Sequence, residues 1–148
     1  MSSYEHIDRL LSECKAEGII ATVEISGKVS RGQLEDMIAA VASQFIVEVE
    51  NISALKMLQE LNFANVQAKW FMDSENFRDL EQITKLAESL GTKELIVIGI
   101  KPHNVKKSAP SRNDLEQTAN FISAYEENPA EMKLSVDSCF SVLKALVL

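Results

Sequence analysis

Charged and polar side chains recur at every second position in three short segments of this sequence that are otherwise apolar. They are Glu24 in the first segment, Glu48 and Glu50 in the second, and Gln67 and Lys69 in the third. Clustered carboxylates are among the groups that general acid–base catalysis uses, and a lysine beside them supplies a counter-charge. The pattern predicts one polar site, provided that the fold brings the three segments together.

Three further residues of reactive type lie later in the chain. Lys101 and His103 follow an apolar run, and we expect them to border the same site or to lie in a solvated loop. Cys139 follows the last predicted strand, where a functional thiol or a plain half-buried cysteine would be found. No Ser–His–Asp set, phosphate-binding loop or zinc-ligand spacing is present in the sequence. Acid–base chemistry or ligand binding is therefore the chemistry that these residues predict.

Runs of β-branched and apolar residues alternate with amphipathic segments along the chain. This alternation is typical of βαβ units, whose right-handed crossovers build a parallel sheet. We therefore predict an α/β fold of alternating βα units with four or five mostly parallel strands, as a partial TIM-type barrel or an open curved sheet. The predicted strands are 19–25, 44–50, 65–72, 94–100 and 132–136, and the predicted helices are 4–17, 30–41, 51–61, 73–90 and 111–127.

Alternation within the first three predicted strands separates two faces of the sheet. One face is apolar throughout and should pack against helices. The other carries the five polar residues of the first three strands. Burying such charges on a doubly covered sheet would cost several kcal/mol each unless they were paired, so this face should line a polar cleft. The alternative is a solvated sheet face with a Glu–Lys pair and no ligand.

Length and composition limit the class of protein. The 148 residues predict a single domain, 1–148, in which the last strand and the apolar tail, 132–148, begin a further extension. A net charge of −7 argues against a nucleic-acid-binding protein, whose surface is usually basic. Two cysteines without a CxxC pair, no signal-peptide pattern and no apolar run of membrane-spanning length predict a cytoplasmic protein that does not bind a membrane.

Several segments together resemble the later strands of radical S-adenosylmethionine (radical SAM) enzymes. The most specific match is the predicted strand and turn from Val66 to Asn76, followed by a helix with the pattern Leu-x5-Leu-Ala-x2-Leu-Gly from Leu80 to Gly91. The resemblance covers most of the chain and implies a partial barrel with ligands near the carboxyl ends of its strands. The other matching segments are Ile25-Ser26-Gly27, Phe45 to Glu50, Glu94 to Ile100 with Lys101-Pro102, and Ser135 to Phe140.

The catalytic signature of that family is missing from this sequence. The family's CxxxCxxC loop holds a four-iron cluster through three thiolates, and only Cys14 and Cys139 are present here. The Gly-Gly-Glu segment that grips the methionyl amine is also missing. The resemblance thus implies no cofactor in this chain. S-adenosylmethionine and an iron–sulfur cluster would enter only if the missing parts were supplied elsewhere. Cys139 would be a metal ligand only if a cluster formed with a partner.

Three functions remain open from the sequence. The first is an incomplete or degenerate radical-SAM-like domain that is non-catalytic on its own. It would bind a peptide or small ligand in the polar cleft, or pair with a second copy or a partner chain across its exposed sheet edges. The second is a small enzyme that uses the acidic residues, or His103 and Lys101, for acid–base chemistry. The third is an interaction or adaptor module with no chemistry in its cleft.

Overall fold

A computed structural model of the chain describes residues 6–40, 42–73, 75–99, 111–128 and 130–137. Strands and helices alternate along these residues, as the sequence predicts. The helices are Ile7–Ala16 (α1), Arg31–Ala39 (α2), Ile52–Glu60 (α3), Leu80–Ser89 (α4) and Arg112–Glu127 (α5), and the strands are Thr22–Ile25 (β1), Gln44–Glu48 (β2), Val66–Met72 (β3), Glu94–Gly99 (β4) and Lys133–Val136 (β5).

The five strands form one parallel sheet in the order β1-β2-β3-β4-β5, which is also their order in the sequence. The predicted α/β fold with parallel strands is therefore confirmed. Each strand lies next to the one that follows it in the chain, so each crossover spans a single strand spacing. Successive βα units of a barrel are arranged in this way, and so are those of an open sheet wound in one direction.

Local signals fix the helix ends. Ser30 and Ser111 form capping boxes with Gln33 and Asp114, in which each side chain bonds to the other residue's backbone N–H. The Asn51 side chain accepts a hydrogen bond from the backbone N–H of Ala54 at the start of α3. These features confirm the predicted starts of three helices, because each depends only on residues that are close in the sequence.

Two predicted starts were wrong, and β2 also ends at Glu48 rather than at residue 50. The first strand begins at Thr22 rather than at residue 19, and the side chains of Ile19 and Ile20 are 58% and 81% exposed. Helix α4 begins at Leu80, after a 3-10 turn at Phe77–Asp79, rather than at residue 73. In both cases the residue types favour the predicted element. The first strand starts where its pairing with β2 starts, and α4 starts after the 3-10 turn that precedes it.

The apolar core lies on one face of the sheet, between the strands and all five helices. Its two clusters contain every apolar strand residue that alternation assigns to that face. We call this the helix-covered face. Its members with the largest fully buried side chains are Trp70, Phe45, Ile25, Met72, Leu95, Val47 and Val97.

Tyr125 ties α5 to α4 and to the segment before β5. Its hydroxyl lies 2.5 Å from Oε1 of Glu88 and 3.1 Å from the backbone oxygen of Met132. Burial, and then the Glu88 carboxylate, raise the pKa of the Tyr125 phenol above its ordinary value. The phenol must therefore remain protonated in the folded protein, where it donates a hydrogen bond.

Replacing Tyr125 by phenylalanine should lower the free energy of unfolding by about 1–2 kcal/mol at neutral pH, because the oxygens of Glu88 and Met132 lose the single hydroxyl hydrogen that they share. A raised folded-state pKa stabilises the protein fully below the unfolded pKa, about 10 for tyrosine, and that contribution is lost as the pH rises further. Urea unfolding at pH 7 and pH 11 measures both effects. The difference between wild type and Tyr125→Phe should shrink at pH 11, and an equal difference at both values would contradict this role.

Candidate functional site

The sheet face opposite the helix-covered face carries a row of polar side chains on all five strands. We call it the polar face. Among the described residues, the helices pack in the two hydrophobic clusters, and both clusters lie on the helix-covered face. Several of its side chains reach solvent, including those of Glu24 and Glu48, which are 55% and 37% exposed. Its residues are Thr22, Glu24, Gln44, Ile46, Glu48, Gln67, Lys69, Phe71, Glu94, Ile96, Ile98, Lys133 and Ser135.

Lys69 is the centre of the first polar cluster on this face. Residue 69 is 8% exposed, although it lies on the face without helices. Its ammonium donates a hydrogen bond to Oε1 of Glu24 on β1 and lies 3.8 Å from Oε1 of Glu48 on β2. The same nitrogen is 5.4 Å from the centre of the Phe71 ring, within the range of a cation–π interaction. The lysine is therefore held by three neighbours on three strands.

Parallel pairing explains how these side chains meet. Glu48 pairs with Lys69 directly, whereas Glu24 pairs with Ile46, which in turn pairs with Gln67. Along the strand direction, Glu24 thus lies two residues before the row that contains Glu48 and Lys69. Strand β2 lies between the strand of Glu24 and that of Lys69. The long lysine side chain reaches across β2 to it, so the three charges form one cluster with two carboxylates for one ammonium.

A second cluster surrounds Glu94 on β4. The amide nitrogen of Gln67 donates to Oε2 of Glu94 at 2.5 Å, and the Ser135 hydroxyl donates to Oε1. The ammonium of Lys133 lies 3.5 Å from the same Oε1 atom. The Glu94 side chain is only 16% exposed, so these donors compensate a carboxylate that is largely withdrawn from water.

The two clusters are neighbours and form a single polar band. Strand pairing places one residue from each strand at the same level, and each of the two levels contains one isoleucine among its polar residues. The band therefore offers both ionic and apolar contacts. The first level is Glu24, Ile46, Gln67, Glu94 and Lys133, and the second is Glu48, Lys69, Ile96 and Ser135.

A hydrogen-bonded polar turn follows the carboxyl end of β3. Oδ1 of Asp73, a residue that is 1% exposed, accepts hydrogen bonds from the backbone N–H groups of Glu75 and Asn76. The Asn76 side chain accepts from the Asp73 N–H and donates to the carbonyl oxygen of Phe71. These bonds fix the end of the strand that carries Lys69, and the side chains involved are already engaged within the turn.

Two grooves in the described part of the chain lie away from the polar face. The larger has a volume of about 540 Å³ and is lined by residues just before β3, β4 and β5, including Ala64, Lys93 and Met132. The smaller, about 150 Å³, lies between the start of α4 and α5, beside Phe77 and Phe121. Ligands of parallel α/β proteins usually bind at the carboxyl ends of strands. The larger groove lies at the opposite ends of the strands, whereas the smaller one lies beside the carboxyl end of β3, where Thr118 contacts Met72.

The structure brings together most of the site residues that the sequence predicts on strands. Glu24, Glu48 and Lys69 form the first cluster, and Gln67 belongs to the second. Glu50 lies in the turn after β2 and is exposed, so it is separate from both clusters. Lys101, His103 and Cys139 lie outside the described residues.

Sequence reasoning missed Glu94 and Ser135. The segment Glu94–Gly99 reads as a nearly continuous apolar run, which is typical of a strand buried on both faces. Its exposure nonetheless alternates, with Leu95 and Val97 buried and Glu94, Ile96 and Ile98 half-buried. The charged residue at the first position of the strand was the signal that it belongs to a polar face.

No protein-family model matches the chain, and the search of curated proteins found no match either. Within the described ranges, no three histidine, cysteine, aspartate or glutamate side chains are grouped as a metal site would need. The helices in those ranges also lack the length and apolar character that crossing a bilayer requires. The polar band therefore remains the most developed candidate site in the described part of the chain.

Proposed function

We propose that this chain is a radical-SAM-like partial barrel that is not catalytic on its own, and that its polar face binds a peptide or small molecule with a positively charged group. The observation that carries the proposal is the polar band, in which two charged clusters extend over five parallel strands on the face opposite the helices. Parallel sheets are almost always covered on both faces. A polar face therefore favours a polar occupant.

The strand order supports the barrel part of the proposal. Strands that follow their sequence order, with helices on one face, match consecutive βα units of a barrel, whose inner wall would be the polar face. The sequence holds two cysteines, one fewer than the thiolates that the family's cluster needs. Cleavage of S-adenosylmethionine would thus require a cluster whose ligands lie outside these 148 residues, and the function that we propose for them is binding.

The charge of the ligand follows from which charged atoms reach solvent. The Lys69 side chain is 10% exposed, whereas those of Glu24 and Glu48 are 55% and 37% exposed. A ligand that approaches this face meets carboxylate oxygens before it meets the ammonium. The cluster carries one negative charge in excess, so an amine or guanidinium complements it and a carboxylate is repelled.

The apolar residues of the polar face favour a ligand with a hydrocarbon part. Ile46 and Ile96 are half-buried between polar side chains, and the half-buried Ile98 pairs with Phe71, which is 41% exposed. Binding sites usually combine apolar walls with a few polar groups that fix orientation. A short peptide with basic and aromatic residues has both features, so it is a suitable probe.

The experiment is a titration with two capped pentapeptides, one with two lysines flanking a phenylalanine and the other with glutamates in place of the lysines. The lysine peptide should bind and the glutamate peptide should not. The double variant Glu24→Gln with Glu48→Gln should weaken binding about tenfold, because two charge-assisted contacts are lost. Isothermal titration calorimetry measures the affinities.

A matched double variant separates this site from the net charge of the protein. Glu13→Gln with Glu116→Gln removes the same two charges from α1 and α5, where each glutamate pairs with an arginine four residues away. This control should bind the lysine peptide as tightly as the wild type does. An equal loss of affinity in both double variants would mean that the peptide responds only to overall charge, and the proposal would fail.

A further inference from the structure

We propose that the outer edge of β1 pairs with β1 of a second copy of this chain, antiparallel and around a two-fold axis through Val23. Among the described residues β1 is the first strand of the sheet and has a neighbour only on its β2 side. This inference rests on backbone geometry and is independent of what binds the polar face.

Two residues of β1 direct their backbone groups toward the free edge. The carbonyl oxygen of Ala21 accepts a hydrogen bond from the N–H of Ser43, so residue 21 faces β2. The N–H and C=O of one strand residue point to the same side, and the side alternates along the strand. Val23 and Ile25 therefore also face β2, and Thr22 and Glu24 present their N–H and C=O groups outward.

The outward N–H and C=O groups of Thr22 and Glu24 can pair with the same groups of a second copy in one register. In an antiparallel pair, a hydrogen-bonded pair of residues exchanges two N–H···O bonds. If Thr22 pairs with Glu24 of the second copy, symmetry pairs Glu24 with Thr22, and all outward groups of these two residues are used. Val23 then lies opposite Val23 on the helix-covered side. A shift that pairs Glu24 with Glu24 would place two carboxylates opposite each other, which is unfavourable.

The same register gives a role to exposed apolar side chains beside β1. Ile19 and Ile20, 58% and 81% exposed, precede the strand. Continuing the pairing brings them alongside Gly27 and Ser26 of the second copy. Space around Gly27 is open, since a Cβ atom there would meet nothing within 4 Å. The two-fold axis also relates the two α1 helices, on which Leu10 is 59% exposed.

Sedimentation equilibrium of the full chain over a range of concentrations tests the pairing. The wild type should show a reversible monomer–dimer equilibrium. Thr22→Asp should lower the association constant and Thr22→Lys should raise it, each about two- to thirtyfold, because residue 22 faces Glu24 twice in the symmetric dimer. Both effects should shrink in high salt. Thr22→Val, which keeps the backbone and adds no charge, should associate like the wild type.

A backbone variant completes the test. Thr22→Pro removes an N–H that points to the free edge and leaves the bonds to β2 in place, and proline is tolerated at the first position of an edge strand. It should be monomeric, with a circular dichroism spectrum like that of the wild type. Monomeric wild type at every concentration would overturn the proposal. So would dimers whose association constant is the same in the Asp, Lys and Pro variants, because they would show that another surface is used.

Discussion

Replacing Trp70 by alanine is expected to lower the free energy of unfolding by about 3–5 kcal/mol, whereas Phe71→Ala should lower it by less than about 1 kcal/mol. The two aromatic residues are neighbours on β3 and point to opposite faces of the sheet. Trp70 is 2% exposed and packs in the core against the helices, while Phe71 is 41% exposed on the polar face. The truncation of Trp70 leaves a cavity, and that of Phe71 removes a half-solvated ring.

Urea unfolding of the two variants, followed by far-ultraviolet circular dichroism, measures the difference. Both changes remove an aromatic ring from the same strand, so each variant is a control for the strand propensity of the other. Similar losses for Trp70→Ala and Phe71→Ala would mean that the polar face is packed as tightly as the helix-covered face. A solvent-accessible binding surface there would then be ruled out.

Lys69→Met is the second large effect that we expect, at about 1–3 kcal/mol of lost stability. Methionine keeps the volume of the side chain but removes the charge that lies between Glu24 and Glu48. The loss is smaller than for a fully buried ion pair, because both glutamates remain partly hydrated. Added salt should recover part of it, since salt screens the repulsion between the two carboxylates.

Lys85→Met is the matched control for this prediction. Lys85 pairs with Glu81 on the surface of α4, where both side chains are more than half exposed. Surface pairs of this kind contribute little, so we expect no measurable change in the urea midpoint. If Lys69→Met were equally silent, the cluster would be an ordinary surface ion pair rather than a structured part of the polar face.

Much of the fold could be predicted because its signals are local. The capping boxes at Ser30 and Ser111 need only residues three positions apart, and the two faces of β1, β2 and β3 follow from alternation within each strand. Alternation also predicted which residues lie in the core. The sequence could not show that Ile19 and Ile20 lie outside the first strand, because their residue type favours a strand wherever they are placed.

The pairing of charges depended on information that one strand does not contain. Glu24 meets Lys69 only because β1, β2 and β3 are neighbours in a particular register, and a shift of one residue would send either side chain to the other face. Glu94 was missed for a related reason. Its partners Gln67 and Ser135 come from the two flanking strands, and the strand order that joins them is a property of the whole sheet.

The most direct test of the account is a methyl NMR titration of isoleucine-labelled protein with the lysine–phenylalanine pentapeptide. Ile46, Ile96 and Ile98 are on the polar face, and Ile25 and Ile122 are buried in the core on the other side of the sheet. We predict saturable shifts of the first three methyl groups and none of the last two. Binding that shifts only other isoleucines, or no binding at all, would contradict the claim that the polar face is a ligand-binding surface.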